Sequence, residues 1–548
     1  MRRLSRVILI STLTAGLAIT AAAPAGGSAR EHAPSPPVPT LAWAPCGDNS
    51  PGAQCATATV PLDYDQPTGP TTQIALARIP ASDQANRIGS VFVNPGGPGG
   101  SGVDSVLGGF GQALSEQLED RFDVIGFDPR GVARSEPLRC FASAEEEHRF
   151  LAGLPIFPYR KDQYRPYFNT ARAYAALCSD GRHRISQHMS TADVARDLDL
   201  LRQAVGDSKL NYYGLSYGSY IGNTYANLFP KNVRALVIDA VFDPRLWSSG
   251  RQIESARVAT QQEFDEFLRL CDEAGPACAF SGPEGSAARW ESLATAIRRQ
   301  PLALPDGILF TYDSLISVAA DAMYAPEVWG GPFGAAALFD AVDDAVFGDP
   351  AGTAVVADVR RSMAEQVAAA PAADDHDNAF DAHFGNHCAD AQYPRTFAQY
   401  RSIDRSAAAG SRFGPMWWWR LGAACASWPV NDDRYTGPWT ARTANPVLVV
   451  GNYFDGITDY AGAQASARLL KNSRLLSYAG WGHGAYGRSA CVTGHVNSYL
   501  IDGALPDAGK VCPANPSPFL PDPAQAATTQ ASPLAVVQLT DFAGHPLR

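Results

Sequence analysis

Leu210-Asn211-Tyr212-Tyr213-Gly214-Leu215-Ser216-Tyr217-Gly218-Ser219-Tyr220-Ile221-Gly222-Asn223 is the stretch on which the fold of this 548-residue chain turns. Residues 210–215 read as a short buried strand and residues 217–227 as a helix. Between them Gly214-Leu215-Ser216-Tyr217-Gly218 forms a G-x-S-x-G. A strand that turns directly into a helix forces the corner residue into a strained backbone conformation and leaves its hydroxyl exposed. Glycines two residues to either side let strand and helix pass closely. The first turn of the helix also presents unpaired N–H groups to any negative charge that develops there. Ser216 is therefore a candidate nucleophile. A chance glycine-rich turn would share the motif, but not the strand before it and the helix after it.

Upstream, residues 73–78, 90–94 and 124–128 are short apolar runs, each soon followed by Gly or Pro, the pattern of buried parallel strands. Residues 191–205 put Val194, Leu198, Leu201 and Val205 on one helical face, with Asp193 in the first turn. Strand, helix and strand in succession predict a doubly wound α/β sheet. Downstream, strand signals fade between residues 247 and 436, where 255–272, 287–299, 311–324 and 333–347 show helical spacing. They return at 446–450 and 474–478. A helical block between two parts of one sheet predicts an inserted lid. The expected organisation is a sheet core over 41–246, a lid over 247–436, the rest of the core over 437–515, and a loosely held tail rich in Ala, Pro and Thr over 516–548.

The N-terminus reads as an export signal. Arg2, Arg3 and Arg6 precede an apolar run over residues 7–20 that is short for a membrane span, and Ala23-Pro24-Ala25 supplies small residues for cleavage. A signal peptide over 1–25 and a Pro-rich linker over 26–40 are expected, giving a secreted protein with no membrane association after cleavage. The ten cysteines are even in number and lie in near pairs: 46 with 55, 140 with 178, 271 with 278, 388 with 425, and 491 with 512. That suits an oxidising compartment. Pairing of neighbours is the simplest arrangement, although sequence does not fix connectivity. A net charge of −11 without a basic stripe argues against nucleic acid as a partner. With 46% hydrophobic residues the composition is globular, not disordered.

A nucleophilic serine needs an oxyanion hole, a base and an acid. Val91-Phe92-Val93 leads into Asn94-Pro95-Gly96-Gly97-Pro98-Gly99-Gly100-Ser101-Gly102, a Gly-rich loop after a strand. The N–H groups of Gly97 and Tyr217 are the expected oxyanion donors. A nucleotide cradle is disfavoured, because Pro98 interrupts it and no Lys-Ser/Thr follows. Where the nucleophile sits on such an elbow, the order is Ser, acid, His, each beyond a strand. The strand at 446–450 is followed by Asp455, and the one at 474–478 by His483 between two glycines. His483 is the expected base and Asp455 its orienting partner, with Asp459 as the fallback acid. His383 and His387, beside Cys388 and near Asp374, Asp375 and Asp377, form the one candidate metal cluster. A surface loop carrying a disulfide cysteine is the favoured reading there, and His495 reads as structural.

These motifs together resemble the secreted tripeptidyl aminopeptidases of actinomycetes and their relatives, in the α/β-hydrolase group that includes prolyl iminopeptidase. The resemblance runs through Trp43-Ala44-Pro45-Cys46 with Cys55, Val60-Pro61-Leu62-Asp63-Tyr64, the Gly-rich loop, and Phe127-Asp128-Pro129-Arg130-Gly131 with Ser135. It continues through Thr191-Ala192-Asp193-Val194-Ala195-Arg196-Asp197-Leu198, and Cys425 with Trp428-Pro429. It implies an α/β-hydrolase fold with an inserted helical lid, hydrolysis of peptides from a free N-terminus, no metal or organic cofactor, and triad roles for Ser216, Asp455 and His483. Two departures stand out. The family's acid loop commonly reads D-P-x-T-P, whereas this chain has Asp455-Gly456-Ile457-Thr458-Asp459, and Asn94-Pro95 stands where prolyl iminopeptidases carry a His. A substrate α-amine needs a carboxylate, and Glu254, Glu263, Asp321 and Glu327 of the lid are candidates among which sequence does not choose. A carboxylesterase or lipase-like hydrolase is the alternative, because the same triad cleaves esters. A non-catalytic binding protein would require a lost catalytic residue.

Overall fold

The computed structural model describes residues 35–47, 50–181, 183–349, 352–358, 361, 378–429 and 433–520. The expected signal peptide, the start of the linker, the aspartates 374, 375 and 377, and the tail beyond 520 lie outside the described residues.

Twelve strands are present among them: β1 (Ala44–Pro45), β2 (Gln54–Pro61), β3 (Thr71–Ile79), β4 (Gly89–Asn94), β5 (Phe122–Phe127), β6 (Leu210–Leu215), β7 (Val233–Asp239), β8 (Leu302–Ala303), β9 (Leu309–Phe310), β10 (Val447–Phe454), β11 (Ser473–Trp481) and β12 (Val511–Cys512). Ten form one sheet in the order β1-β2-β3-β5-β4-β6-β7-β10-β11-β12, and β8 with β9 makes a separate hairpin. From β5 to β12 all neighbours are parallel, while β1, β2 and β3 form an antiparallel edge. This is the mostly parallel, doubly wound sheet expected.

Alternation along the strands builds two apolar layers. Phe92, Ile125, Tyr212, Leu236 and Val449 face the helices Thr191–Ala204 and Tyr217–Leu228. Val91, Val93, Val124, Tyr213, Val237 and Leu448 face the helix Ala490–Asp502. The strands β4, β5 and β6 are buried throughout. Strand order reverses around β4, and ligands of such sheets sit beyond the C-terminal strand ends near that reversal. The loops after β4, β6, β10 and β11 all leave from that edge.

Helices dominate between β7 and β10. They include Ile253–Ala274, Ser286–Arg299, Tyr312–Ala322, Ala335–Phe347, Ala379–Asp390, Phe397–Ala407 and Gly414–Gly422. Their shared core is aromatic, with Phe264, Phe267, Trp290, Phe339, Trp418 and Trp419 buried together. Residues from outside the expected lid also contribute to it. Phe168, on the helix Tyr164–Cys178, packs on Tyr400 at 5.1 Å between ring centroids. Phe519 packs on Phe267 at 5.4 Å, so the first residues of the tail are held against the lid, not loose as expected. All ten cysteines pair as neighbours: 46–55, 140–178, 271–278, 388–425 and 491–512.

Candidate active site

The turn after β6 is the strained corner that its sequence requires. Ser216 has φ 57° and ψ −122°, and its N–H donates to the Asp239 carbonyl at 3.0 Å. The flanking glycines are steric necessities. A Cβ on Gly214 would lie 2.3 Å from the Gly218 carbonyl, and one on Gly218 would lie 2.6 Å from the Asn94 carbonyl. The Gly-rich loop therefore rests directly on the elbow. A Cβ on Gly96 would meet the Leu215 carbonyl at 2.6 Å, Ser216 Cβ at 2.8 Å and Tyr217 N at 3.1 Å. Asn94 Oδ1 holds this approach by accepting the Gly96 N–H at 3.0 Å. Tyr217 opens the helix after Ser216, and Gly97 follows Gly96 in that loop. The Tyr217 ring is fixed through its hydroxyl to Thr191 Oγ1, which donates to Asp390 Oδ2 at 2.7 Å.

Asp455 and His483, from the loops after β10 and β11, meet. His483 Nδ1 lies 2.9 Å from Asp455 Oδ1 and 3.1 Å from Oδ2, and both side chains are about 1% exposed. Asp455 also accepts the Ile457 N–H at 3.0 Å, the Thr458 N–H at 2.9 Å and the Thr458 hydroxyl at 2.8 Å. Burial works against its ionisation, but the adjacent imidazole and these donors outweigh burial and hold the carboxyl below the usual range. Asp459, the fallback acid, serves elsewhere: it caps the helix Tyr460–Leu469 by accepting the Ala461 N–H at 3.0 Å.

The loop bearing His483 is held from every side by residues that the sequence reading did not single out. Asn452 Nδ2 donates to the carbonyls of Gly482 at 2.6 Å and Gly484 at 3.0 Å. Arg488 donates to the carbonyls of His483 at 3.1 Å and Gly484 at 2.6 Å. The buried Asp239 accepts the N–H groups of Ala485 and Tyr486 at 3.1 and 3.0 Å, and the His483 N–H donates to the Tyr324 carbonyl at 2.9 Å. A Cβ on Gly484 would lie 2.6 Å from Leu215 Cδ1, which brings the base loop onto the residue before the nucleophile. His483 Nε2 has no hydrogen-bond partner among the described residues, so its bond to the Ser216 hydroxyl is not formed. Such bonds tighten when substrate binds.

The four lid carboxylates separate by environment. Glu254 is half exposed and paired with Arg251 at 2.7 Å. Glu327 pairs with Arg488 at 2.8 Å. Glu263 is fully buried and accepts the Gly482 N–H at 2.7 Å. Asp321 is about one-third exposed, 4.0 Å from Arg420 and one turn before Tyr324, whose ring meets His483 edge-on at 5.3 Å. Desolvation raises the Asp321 pKa despite Arg420.

His383 and His387 correct an expectation. They lie on the buried helix Ala379–Asp390, not on a surface loop, and their rings stack at 5.3 Å. Burial pushes the His383 imidazole down to about 4. A Cβ on Gly99 would lie 2.5 Å from the Ala379 carbonyl, so this helix braces the Gly-rich loop. The motif Phe127 to Gly131 proves to be scaffold. Arg130 and Asp197 form a buried pair at 2.6 Å, and Asp128 anchors the loop by accepting from Ser101 Oγ and the Val103 N–H.

Comparison with known proteins accords with this geometry. The α/β-hydrolase fold family matches residues 89–280, and the TAP-like protein family matches residues 410–512. The chain is 30% identical over 535 residues to the serine protease Hip1 of Mycobacterium tuberculosis, covering 93% of this chain and 98% of that protein. It is 30% identical over 485 residues to a tripeptidyl aminopeptidase of Streptomyces lividans, covering 85% and 84%. Carboxylesterase B of Mycobacterium tuberculosis is 31% identical over 538 residues, with 93% and 98% covered. With an elbow serine, a Gly-rich loop against it and a buried Asp–His pair on one sheet edge, the chain belongs to the α/β-hydrolase family, among the TAP-like serine peptidases and their relatives.

Proposed function

We propose that this protein is a secreted exopeptidase that releases short peptides, tripeptides foremost, from free N-termini through Ser216, His483 and Asp455. The observation that carries the reading is the Asp455–His483 pair, buried on the sheet edge from which the strained Ser216 projects. Ser216 Oγ attacks the scissile carbonyl as His483 Nε2 takes its proton. The N–H groups of Gly97 and Tyr217 receive the oxyanion. Collapse breaks the C–N bond, and the proton on Nε2 passes to the departing amine. Water, deprotonated by the same nitrogen, then cleaves the acyl-enzyme and restores Ser216. Asp455 keeps the proton of neutral His483 on Nδ1, which leaves Nε2 as the acceptor.

We assign Asp321 to the substrate α-amine. Like Glu327 it is about one-third exposed and three residues from Tyr324, but Glu327 is bound to Arg488 at 2.8 Å, which lowers its pKa despite burial, whereas Asp321 lies 4.0 Å from Arg420 and desolvation raises its pKa. The five disulfides support export, and no helix among the described residues is long and apolar enough to cross a membrane. Carboxylester hydrolysis is the second reading, favoured by the 31% identity to a carboxylesterase.

The test is a panel of free-amine tripeptidyl, N-blocked peptidyl and short acyl ester substrates. Preference for the free tripeptide is expected, and ester-only turnover would replace the first reading by the second. Asp321→Asn should raise KM for the free-amine substrate by about tenfold and leave N-blocked substrates unchanged, as loss of a charge-assisted bond requires.

A further inference from the structure

The long lid helix Ile253–Ala274 sends Thr260, Glu263 and Glu266, spaced one turn apart, onto the two loops that carry the acid and the base. Thr260 Oγ1 donates to the Gly456 carbonyl and accepts Trp417 Nε1 at 2.8 Å. Glu266 Oε1 accepts Trp481 Nε1 at 3.2 Å. Glu263 stands between them, fully buried. Its Oε1 accepts the N–H of Gly482, the residue before His483, at 2.7 Å. Its Oε2 faces Gly456, the residue after Asp455, where an added Cβ would lie 2.4 Å away. One carboxyl group thus spans the acid loop and the base loop. The same contact bears on the glycine at 456 where the resemblance leads one to expect proline, because a Cβ there would displace the Glu263 carboxyl and press on Met323 Cβ at 2.8 Å.

We propose that Glu263 is a positioning residue for the triad, fixing the spacing of the Asp455 and His483 loops through the Gly482 N–H and the face of Gly456. The inference rests on the triad reading above. The charged groups acting on it are Asp455 from the acid loop and Arg488 from the base loop. Burial first, and the charge of Asp455 second, push its pKa well above the usual carboxylate range, so a neutral amide can replace it. The helical insertion is then part of the catalytic framework as well as a cover.

The test compares Glu263→Gln, Glu263→Leu, Gly456→Ala and Ser216→Ala in the full-length protein. It reads kcat and KM on a free-amine tripeptidyl substrate, and the rate of serine-directed phosphonate labelling from pH 5 to 9. Glu263→Gln keeps an acceptor for Gly482 and should leave kcat and the pH midpoint within about threefold and a few tenths of a unit. Glu263→Leu leaves that N–H buried and unpaired; kcat should fall about tenfold with KM little changed, and the pH midpoint of labelling should move. A kcat loss below about threefold in Glu263→Leu overturns the proposal, as does Glu263→Gln falling equally far. If Glu263→Leu does not fold, Gly456→Ala decides by the same thresholds, since its Cβ displaces the carboxyl. Turnover surviving in Ser216→Ala would instead overturn the triad reading. An inactive Ser216→Ala beside a fully active Glu263→Leu would overturn the positioning role alone.

Discussion

Asp455→Asn is the substitution whose consequence the geometry defines most narrowly. Asp455 Oδ1 accepts two backbone N–H groups, from Ile457 at 3.0 Å and Thr458 at 2.9 Å, so the amide oxygen must take that position. The NH2 group then occupies the Oδ2 site, 2.8 Å from the Thr458 hydroxyl and 3.1 Å from His483 Nδ1. The hydroxyl can turn to accept. That NH2 group competes at Nδ1 with the amide oxygen, 2.9 Å from it, and the charge that stabilises the imidazolium as Nε2 takes the Ser216 proton is gone. Loss of the carboxylate charge, together with a weakened hold on the productive tautomer, costs a factor of about 10³–10⁴ in kcat, about 4–5.5 kcal/mol of barrier. The fold should survive, because volume and three of the polar contacts are kept. Steady-state kinetics on a free-amine tripeptidyl substrate and the rate of phosphonate labelling measure the loss, with circular dichroism as the control for folding. A folded variant that retains more than a tenth of the wild-type kcat would refute the role assigned to Asp455.

Three further expectations follow from other contacts. Thr458→Val preserves shape but removes the hydroxyl that donates to Asp455 Oδ2, and should lower kcat by about tenfold and cost about 1–3 kcal/mol in thermal unfolding, as loss of one hydrogen bond to a buried charge requires. Gly218→Ala places a Cβ 2.6 Å from the Asn94 carbonyl and should cost about 1–3 kcal/mol in denaturant unfolding, with loss of phosphonate labelling as the elbow shifts. Asp390, buried beneath Tyr217, has its pKa pushed up to about 7 by desolvation against the donors Thr191 and Trp247. Because its folded value is raised, its contribution to stability is fully present below pH 3.8 and is lost as pH climbs towards 7. Thermal unfolding of Asp390→Asn between pH 4 and 7 should therefore show a flatter pH dependence than the wild type.

What could be read from the sequence is what local sterics determine. The strand Leu210–Leu215 and the helix starting at Tyr217 lie where the motif put them, because a strand-to-helix corner admits little else than glycine on either side of Ser216. Asp455 and His483 were legible from order and from the glycines beside the base. The cysteine pairs were legible because each partner is nearby in the chain. The antiparallel edge was less so, since β2 carries exposed polar residues in alternation. In β7 the apolar run is broken by Arg234, whose guanidinium is satisfied by Asn211 and the carbonyls of Leu500 and Ile501. The braces of the base loop were illegible for a related reason. Asp239 and Ala485 stand 246 positions apart, and no local pattern marks such a contact. His383 and His387 looked like loop residues because no local cap marks the start of their helix: the Asn378 side chain makes no capping bond there and donates to the carbonyls of Gly131 and Leu138.

The most direct measurement is the site of covalent capture. Wild-type protein treated with a serine-directed peptidyl phosphonate bearing a free amine should gain one adduct, mapped by mass spectrometry to Ser216, with no adduct in Ser216→Ala and slow capture in His483→Ala. An adduct on another serine, or capture at the wild-type rate after His483 is removed, would contradict the account.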